Sequence, residues 1–230
     1  MAQSNNFKIV SLAELKIILD QFVFKRKIVS LHIHHTYSPD ISKWNKNPDG
    51  MYWQRVMERY HIGTRKFNAI AQHLTLLPDG NFVTGRDFNL TPASASGFND
   101  GAFMIEMIGN FDKGYDVLGG KQASAIYEFC SFFVEKFGIG LEGIKFHREF
   151  PGAGKTCPGT GIDKNTFLQS VMSIRKISQQ NELKEAIDII NNAKIITDKA
   201  LWMGKANTDI NIWYLLTKTA KYLKEKGINK

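Results

Sequence analysis

A chain of 230 residues, 43% of them hydrophobic, can hold one sizeable domain and a small appendage, and it excludes disordered and collagen-like classes. A net charge of +8 points to a polyanionic partner, whether nucleic acid, anionic lipid or an anionic cell-wall polymer. Two cysteines, Cys130 and Cys157, cannot build a disulfide framework and suit a reducing cytoplasm, and no apolar run is long enough to cross a bilayer.

The amino-terminal stretch MAQSNNFKIVSLAELKIILDQF has neither a basic lead into an unbroken apolar core nor a small-residue cleavage site, so no secretory leader is read there. Ser11 with Glu14 predicts a capping box that opens a helix over LAELKIILDQF. The run KIVSLHIHH, residues 27–35, then alternates as a strand does. Val29, Leu31 and Ile33 share one face, Ser30, His32 and His34 share the other, and His35 is the first residue to enter the loop beyond. A lone histidine is most often a satisfied structural residue, but three of the chain's six fall within four positions at this strand's carboxyl end.

DGMYWQRVMERYH predicts a second amphipathic helix, and AIAQHLTLLPDGNFVTGRDF predicts a hairpin turning at Pro78-Asp79-Gly80. GAFMIEMIGN reads as a central strand interrupted by one acid, Glu106. In GGKQASAIYEFCSFFVEKFG, Ala123, Ile126, Phe129, Phe133 and Phe137 recur at the helical period, Cys130 is a small buried apolar residue, and Gly138 stops the helix. EGIKFHREFPGAGKTCPGTG is a Gly- and Pro-rich loop bearing His147, Lys155 and Cys157.

Interleaved helices and strands that include a hairpin predict an α/β domain with a mixed central sheet flanked by helices, over residues 1–172. With a boundary near the polar stretch SIRKISQQNE, residues 178–230 predict a small all-helical C-terminal module. Leu183, Ile187 and Ile190 share one helical face there, and Ile210, Trp213, Leu216, Ala220 and Leu223 share another. From Ser170 to Lys230 eleven basic residues face six acids, a net +5, so the basic excess concentrates in the tail. Lys218, Lys221, Lys224 and Lys226 also suit the macrodipole at the end of the last helix.

Three chemistries compete for the loop around Cys157. A phosphate-binding reading of Gly154-Lys155-Thr156 fails, because Glu149 stands where the motif's first glycine belongs and Pro158 follows where a helix should open. A cysteine nucleophile paired with His147 runs in the reverse order to papain-like chains. A third reading joins His34, His147 and Cys157 as ligands of one zinc ion, with an open fourth position for water.

The blocks VSLHIHHTYSP, IAQHLTLLPDGNFVTGRDF, FMIEMIGNFD and FHREFPGAGKTCPG, in this order, make the chain similar to the zinc-dependent N-acetylmuramoyl-L-alanine amidases, the family of amidase-type phage lysozymes and peptidoglycan recognition proteins. The resemblance spans about residues 25–170. It implies hydrolysis of the amide between N-acetylmuramic acid and L-alanine in bacterial peptidoglycan, on a mixed sheet flanked by helices. It implies His34, His147 and Cys157 as ligands of a single Zn2+, Lys155 as the oxyanion donor, and Glu106 as the base that deprotonates water.

Two departures accompany it. Gln72, before His73 of the hairpin, stands where many family members carry a tyrosine, which shifts weight to Glu106, and the His147 to Cys157 interval is longer than in many relatives. His32 and His35 stay open between supporting the ligands, contacting substrate and a structural place, and a part for Gln72 or His73 in catalysis stays open too. The implied setting is a phage or prophage endolysin, held in the bacterial cytoplasm before lysis and acting at the cell wall, with a host autolysin as the other setting. The basic C-terminal module stays open between holding anionic wall polymers, packing on the catalytic domain and mediating dimers. No aromatic-interleaved basic motif supports nucleic acid, no membrane span is expected, and oligomeric state is left open. The competing function is a non-catalytic peptidoglycan-binding protein. Cys157 speaks against it, because family members that only bind generally lack that ligand.

Overall fold

Ser11 opens the first helix as its spacing to Glu14 predicts. The Ser11 hydroxyl accepts from the Glu14 N–H while the Glu14 carboxylate accepts from the Ser11 N–H, and α1 runs Leu12–Gln21 just after the short strand β1, Ile9–Val10. The computed structural model describes residues 6–228; the first five residues, part of the stretch in which no leader was read, and the last two lie outside it.

Strand β2, Ser30–His35, is followed by helices α2, Ile41–Lys46, and α3, Gly50–Arg59, each opened by an aspartate cap, Asp40 and Asp49. Strands β3, Leu74–Leu76, and β4, Phe82–Thr84, form the hairpin expected around Pro78-Asp79-Gly80. Strand β5, Ala102–Met107, helix α4, Gly120–Lys136, and strand β6, Ile144–Phe146, complete the α/β part. Helices α5, Lys164–Asn192, α6, Lys199–Thr208, and α7, Ile210–Glu225, follow.

The six strands form one sheet in the order β1-β4-β3-β5-β2-β6. Strand β5 pairs in parallel with β2 and β3, β6 pairs in parallel with β2, and β4 is antiparallel to β1 and β3, so the sheet is mixed as the hairpin required. Period two sorts its residues. Leu31, Ile33, Leu74, Leu76, Phe103, Ile105, Ile144 and Phe146 pack with Leu15 and Leu19 of α1 and with Ile126, Phe129 and Phe133 of α4 in the main core. The opposite face carries His32, His34, Thr75 and Glu106, and under α2 and α3 it is sealed by Trp44, Met57, Val83 and Ile108.

Phe133 is fully buried, with ring centroids of Phe103, Phe129 and Phe137 at 5.1, 5.6 and 4.5 Å. Phe133→Ala is expected to cost about 3–5 kcal/mol, read as a fall in the urea midpoint with little change in slope. Just beyond α4, Gly138 adopts φ +62° while Ile139 N–H reaches back to the Val134 carbonyl, the glycine stop anticipated there.

Several expectations need correction. His35 is not a loop residue: it is the last residue of β2, paired with Met107, because β5 extends alongside it. EGIKF does not begin a loop; it forms a 3₁₀ turn and the strand β6, too short to show a period and made by its pairing with β2. The boundary expected near the polar stretch SIRKISQQNE is not among these corrections: the stretch is helical, inside α5, and no Gly or Pro interrupts residues 164–192. Ile210 is 70% exposed, and Ile212 packs against the core in its stead.

The chain divides into two units, Met1–Val171 and Met172–Lys230, with the divide inside α5. In the second unit Leu183, Ile187 and Ile190 of α5, Ala206 of α6, and Leu216, Ala220 and Leu223 of α7 form a core of their own. Among the described residues no helix is long and apolar enough to cross a membrane.

Candidate metal centre

Strand register builds the centre. In the parallel pairing of β2 with β5, His34 lies beside Glu106, and in that of β5 with β3, Glu106 lies beside Thr75. Paired residues of adjacent strands point to the same face, so a histidine, a carboxyl and a hydroxyl cross the sheet in one row. On the other side of β2, Ile33 pairs with Phe146, which brings His147, the next residue after β6, up to His34 with ring centroids 4.5 Å apart.

Cys157 arrives from the loop after His147. The Arg148 N–H donates to the Cys157 carbonyl at 2.8 Å, and the Arg148 guanidinium donates to the Gly159 and Ile162 carbonyls at 2.7 and 2.6 Å. The Asp112 carboxylate accepts from the Thr160 N–H at 2.9 Å and from the Thr156 hydroxyl at 3.0 Å. Gly159, at φ +121°, lies so close to the Phe111 backbone that a Cβ would fall 2.3 Å from it. Donor atoms of His34, His147 and Cys157 all lie within 4.8 Å of one another, a group among the described residues that could hold a metal ion.

The chemistry of these donors fits zinc. Burial holds the His34 imidazole well below its usual range, and burial together with the Lys155 charge lowers His147, so both are neutral nitrogen donors near pH 7. Burial pushes the Cys157 thiol up to about 12 in the metal-free chain, which a divalent cation would reverse. The His35 N–H already points at Cys157 Sγ from 3.3 Å, a donor aimed where thiolate charge would sit. Two imidazoles and a thiolate are a set that suits zinc rather than magnesium or calcium.

The neighbours have distinct parts. Glu106 is partly exposed, makes no ion pair or hydrogen bond among the described residues, and burial of its carboxyl pushes it up to about 8. Lys155 is exposed on the loop, with its charge felt at His147 and Cys157.

His73 is fully buried: Nδ1 accepts from the Met104 N–H at 2.9 Å, Nε2 meets the Leu90 carbonyl at 2.9 Å, and the ring stacks on Phe103. Both nitrogens are spent on structure. Gln72 is buried too, donating to the Thr75 hydroxyl at 2.9 Å, which in turn donates to Gln54 at 2.6 Å. His35 spends Nδ1 on the Phe111 N–H at 3.1 Å, and His32 packs against the Phe150 ring with centroids 4.6 Å apart. Sequence reading overlooked Ser94, which meets both His32 and His34, and Phe150 with Phe98 at the rim. Their loops have no period that would single them out.

Comparison with known proteins places the chain. The family model described as N-acetylmuramoyl-L-alanine amidase matches residues 24–160. Peptidoglycan-recognition protein LB of Drosophila melanogaster is 35% identical over 79 residues, 34% of this chain and 33% of that protein. An N-acetylmuramoyl-L-alanine amidase of Mus musculus is 29% identical over 83 residues, 35% of this chain and 15% of that one, so the matched segments span about a third or less of these relatives. The solved wild-type fly protein superposes with a TM-score of 0.51 at 29% identity, covering 60% of this chain and 78% of that one. The amidase LysC from Clostridium intestinale URNW shares the fold, with a TM-score of 0.52 at 20% identity, covering 64% of this chain and 87% of that one.

Proposed function

Because the chain belongs to the N-acetylmuramoyl-L-alanine amidase family, through residues 24–160, we propose that it hydrolyses the amide between the lactyl group of N-acetylmuramic acid and the L-alanine of the stem peptide in bacterial peptidoglycan. The observation that carries this reading is the meeting of the His34, His147 and Cys157 donors within 4.8 Å, on the sheet face that also bears Glu106. Zinc held by those three residues would supply Lewis acidity and bring the pKa of water down to about 7.

The chain's own residues do the rest. Glu106 takes a proton from the attacking water and hands it to the departing amine of L-alanine as the carbon–nitrogen bond breaks. Lys155 offers an ammonium donor to the carbonyl oxygen as negative charge develops on it. Arg148 and Asp112 hold the loop that carries both Lys155 and Cys157. In the helical unit the exposed Tyr214 and Tyr222 lie under Lys218 and Lys226 at 5.2 and 5.9 Å, a surface suited to the anionic polymers of a cell wall.

The test is the release of L-alanine amino termini from purified walls. New amino groups without new reducing sugar ends, lost on chelation and restored by zinc, are the expected result. Walls that are bound with nothing released would replace the amidase with a binding protein, and reducing ends would assign the chain a glycosidase instead.

A further inference from the structure

Ser94 lies in the irregular segment between β4 and β5, yet it is firmly held. The Asn99 side-chain oxygen accepts from the Ser94 N–H at 2.9 Å and from the Ala95 N–H at 2.7 Å, and the Ala93 N–H donates to the Ala71 carbonyl at 3.2 Å. So fixed, the Ser94 hydroxyl sits between two rings, 2.7 Å from His34 Nε2 and 2.8 Å from His32 Nδ1, and among the described residues it has no third partner. The far nitrogen of His32, Nε2, lies 3.0 Å from the Ser30 hydroxyl.

A hydroxyl carries one hydrogen, so the direction of this chain can be worked out. If it runs from Ser30 inward, Ser94 donates to His34 Nε2 and the proton of neutral His34 sits on Nδ1, leaving neither nitrogen open to a metal. If it runs outward, His34 Nε2–H donates to Ser94, Ser94 donates to His32 Nδ1, and His32 Nε2–H donates to Ser30. Only the second direction frees Nδ1 of His34. A third arrangement, with both rings donating to Ser94, leaves the serine hydrogen without an acceptor among the described residues. We infer that Ser94 is a positioning residue of the centre: its hydroxyl accepts the Nε2–H of His34, passes its own hydrogen to His32, and so presents Nδ1 of His34 to the metal. The inference rests on the ligand role proposed for His34.

The experiment measures zinc affinity of the full chain by competition with a chelating dye, alongside histidine tautomers from long-range 1H–15N correlation spectra. Ser94→Ala is expected to bind zinc about 10–100-fold more weakly with an unchanged far-ultraviolet spectrum, the usual effect of losing a partner that orients a ligand imidazole. Ser94→Thr, which keeps the hydroxyl, should return most of that loss. A folded Ser94→Ala with the parent's affinity overturns the inference.

The spectra decide the matter even where Ser94→Ala does not fold. In the zinc-loaded parent, His32 and His34 should both carry hydrogen on Nε2, and zinc on Nε2 of His34 overturns the inference. In the metal-free parent the relay forces both rings into the same tautomer, so opposite tautomers break it. A parent that binds no zinc at all overturns the metal reading instead, and the metal-free tautomers still judge the relay.

Discussion

Cys157→Ser is expected to abolish release of L-alanine amino termini and to weaken zinc binding by more than the ~100-fold upper range seen when a ligand's orienting partner is lost. The exchange swaps one atom at a buried position, so little else should change. The Arg148 N–H bond to the residue 157 carbonyl and the guanidinium bonds to Gly159 and Ile162 involve no part of the Cys157 side chain, and they keep the loop closed. What disappears is the thiolate, the soft donor that two imidazoles cannot replace. Sedimentation with intact walls should be unaffected, which separates loss of chemistry from loss of recognition. Full activity in the variant would remove Cys157 from the reaction. A cysteine nucleophile predicts the same inactivity but no loss of zinc, so the metal titration tells the two apart. The thiol's rise to about 12 already argues against the nucleophile, because in the metal-free chain almost none is ionised near neutral pH.

How much of this could be read in the chain depended on whether a feature was local. The capping box at Ser11 and Glu14, the turn at Pro78-Asp79-Gly80 and the glycine stop at Gly138 each follow from a few adjacent residues, and each appears where expected. Alternation along β2 assigned His32 and His34 to one face correctly, since period two needs no knowledge of the partner strand. Strand β6 and the strand character of His35 depend on pairing with distant segments, which single-chain patterns do not reveal.

The same divide runs through the centre. His34, His147 and Cys157 stood out by residue type and by family resemblance, whereas their approach to within 4.8 Å is a product of register and of the loop tied by Arg148. Ser94 was invisible because serines in a loop of Ala, Ser and Gly are ordinary, and only the rings on either side give it meaning. Gln72 marks the opposite case. Its place beside a hairpin histidine invited a catalytic question, and its side chain is buried, donating to the Thr75 hydroxyl and lying against Met57.

Glu106→Gln should lower kcat by about 10²–10⁴-fold, the range for loss of a general base, with zinc content and wall binding unchanged. Glutamine keeps the volume and shape of the side chain but cannot accept a proton. Stability should move the other way. The folded metal-free chain holds the Glu106 proton up to about pH 8 while the unfolded chain releases it near 4.5, so between those values the folded state loses stability as pH rises. Glutamine has no charge to bury and escapes that loss, so the metal-free variant should match the parent at pH 4 and exceed it increasingly toward pH 8, measured by urea denaturation. A residue kept for packing would be improved by such a change in every respect. A carboxyl that weakens the fold, has no ion-pair partner among the described residues and lies beside His34 on the adjacent strand is intelligible as a base whose cost is borne for its chemistry. Unchanged kcat in a more stable Glu106→Gln would break that link and move the base to another group.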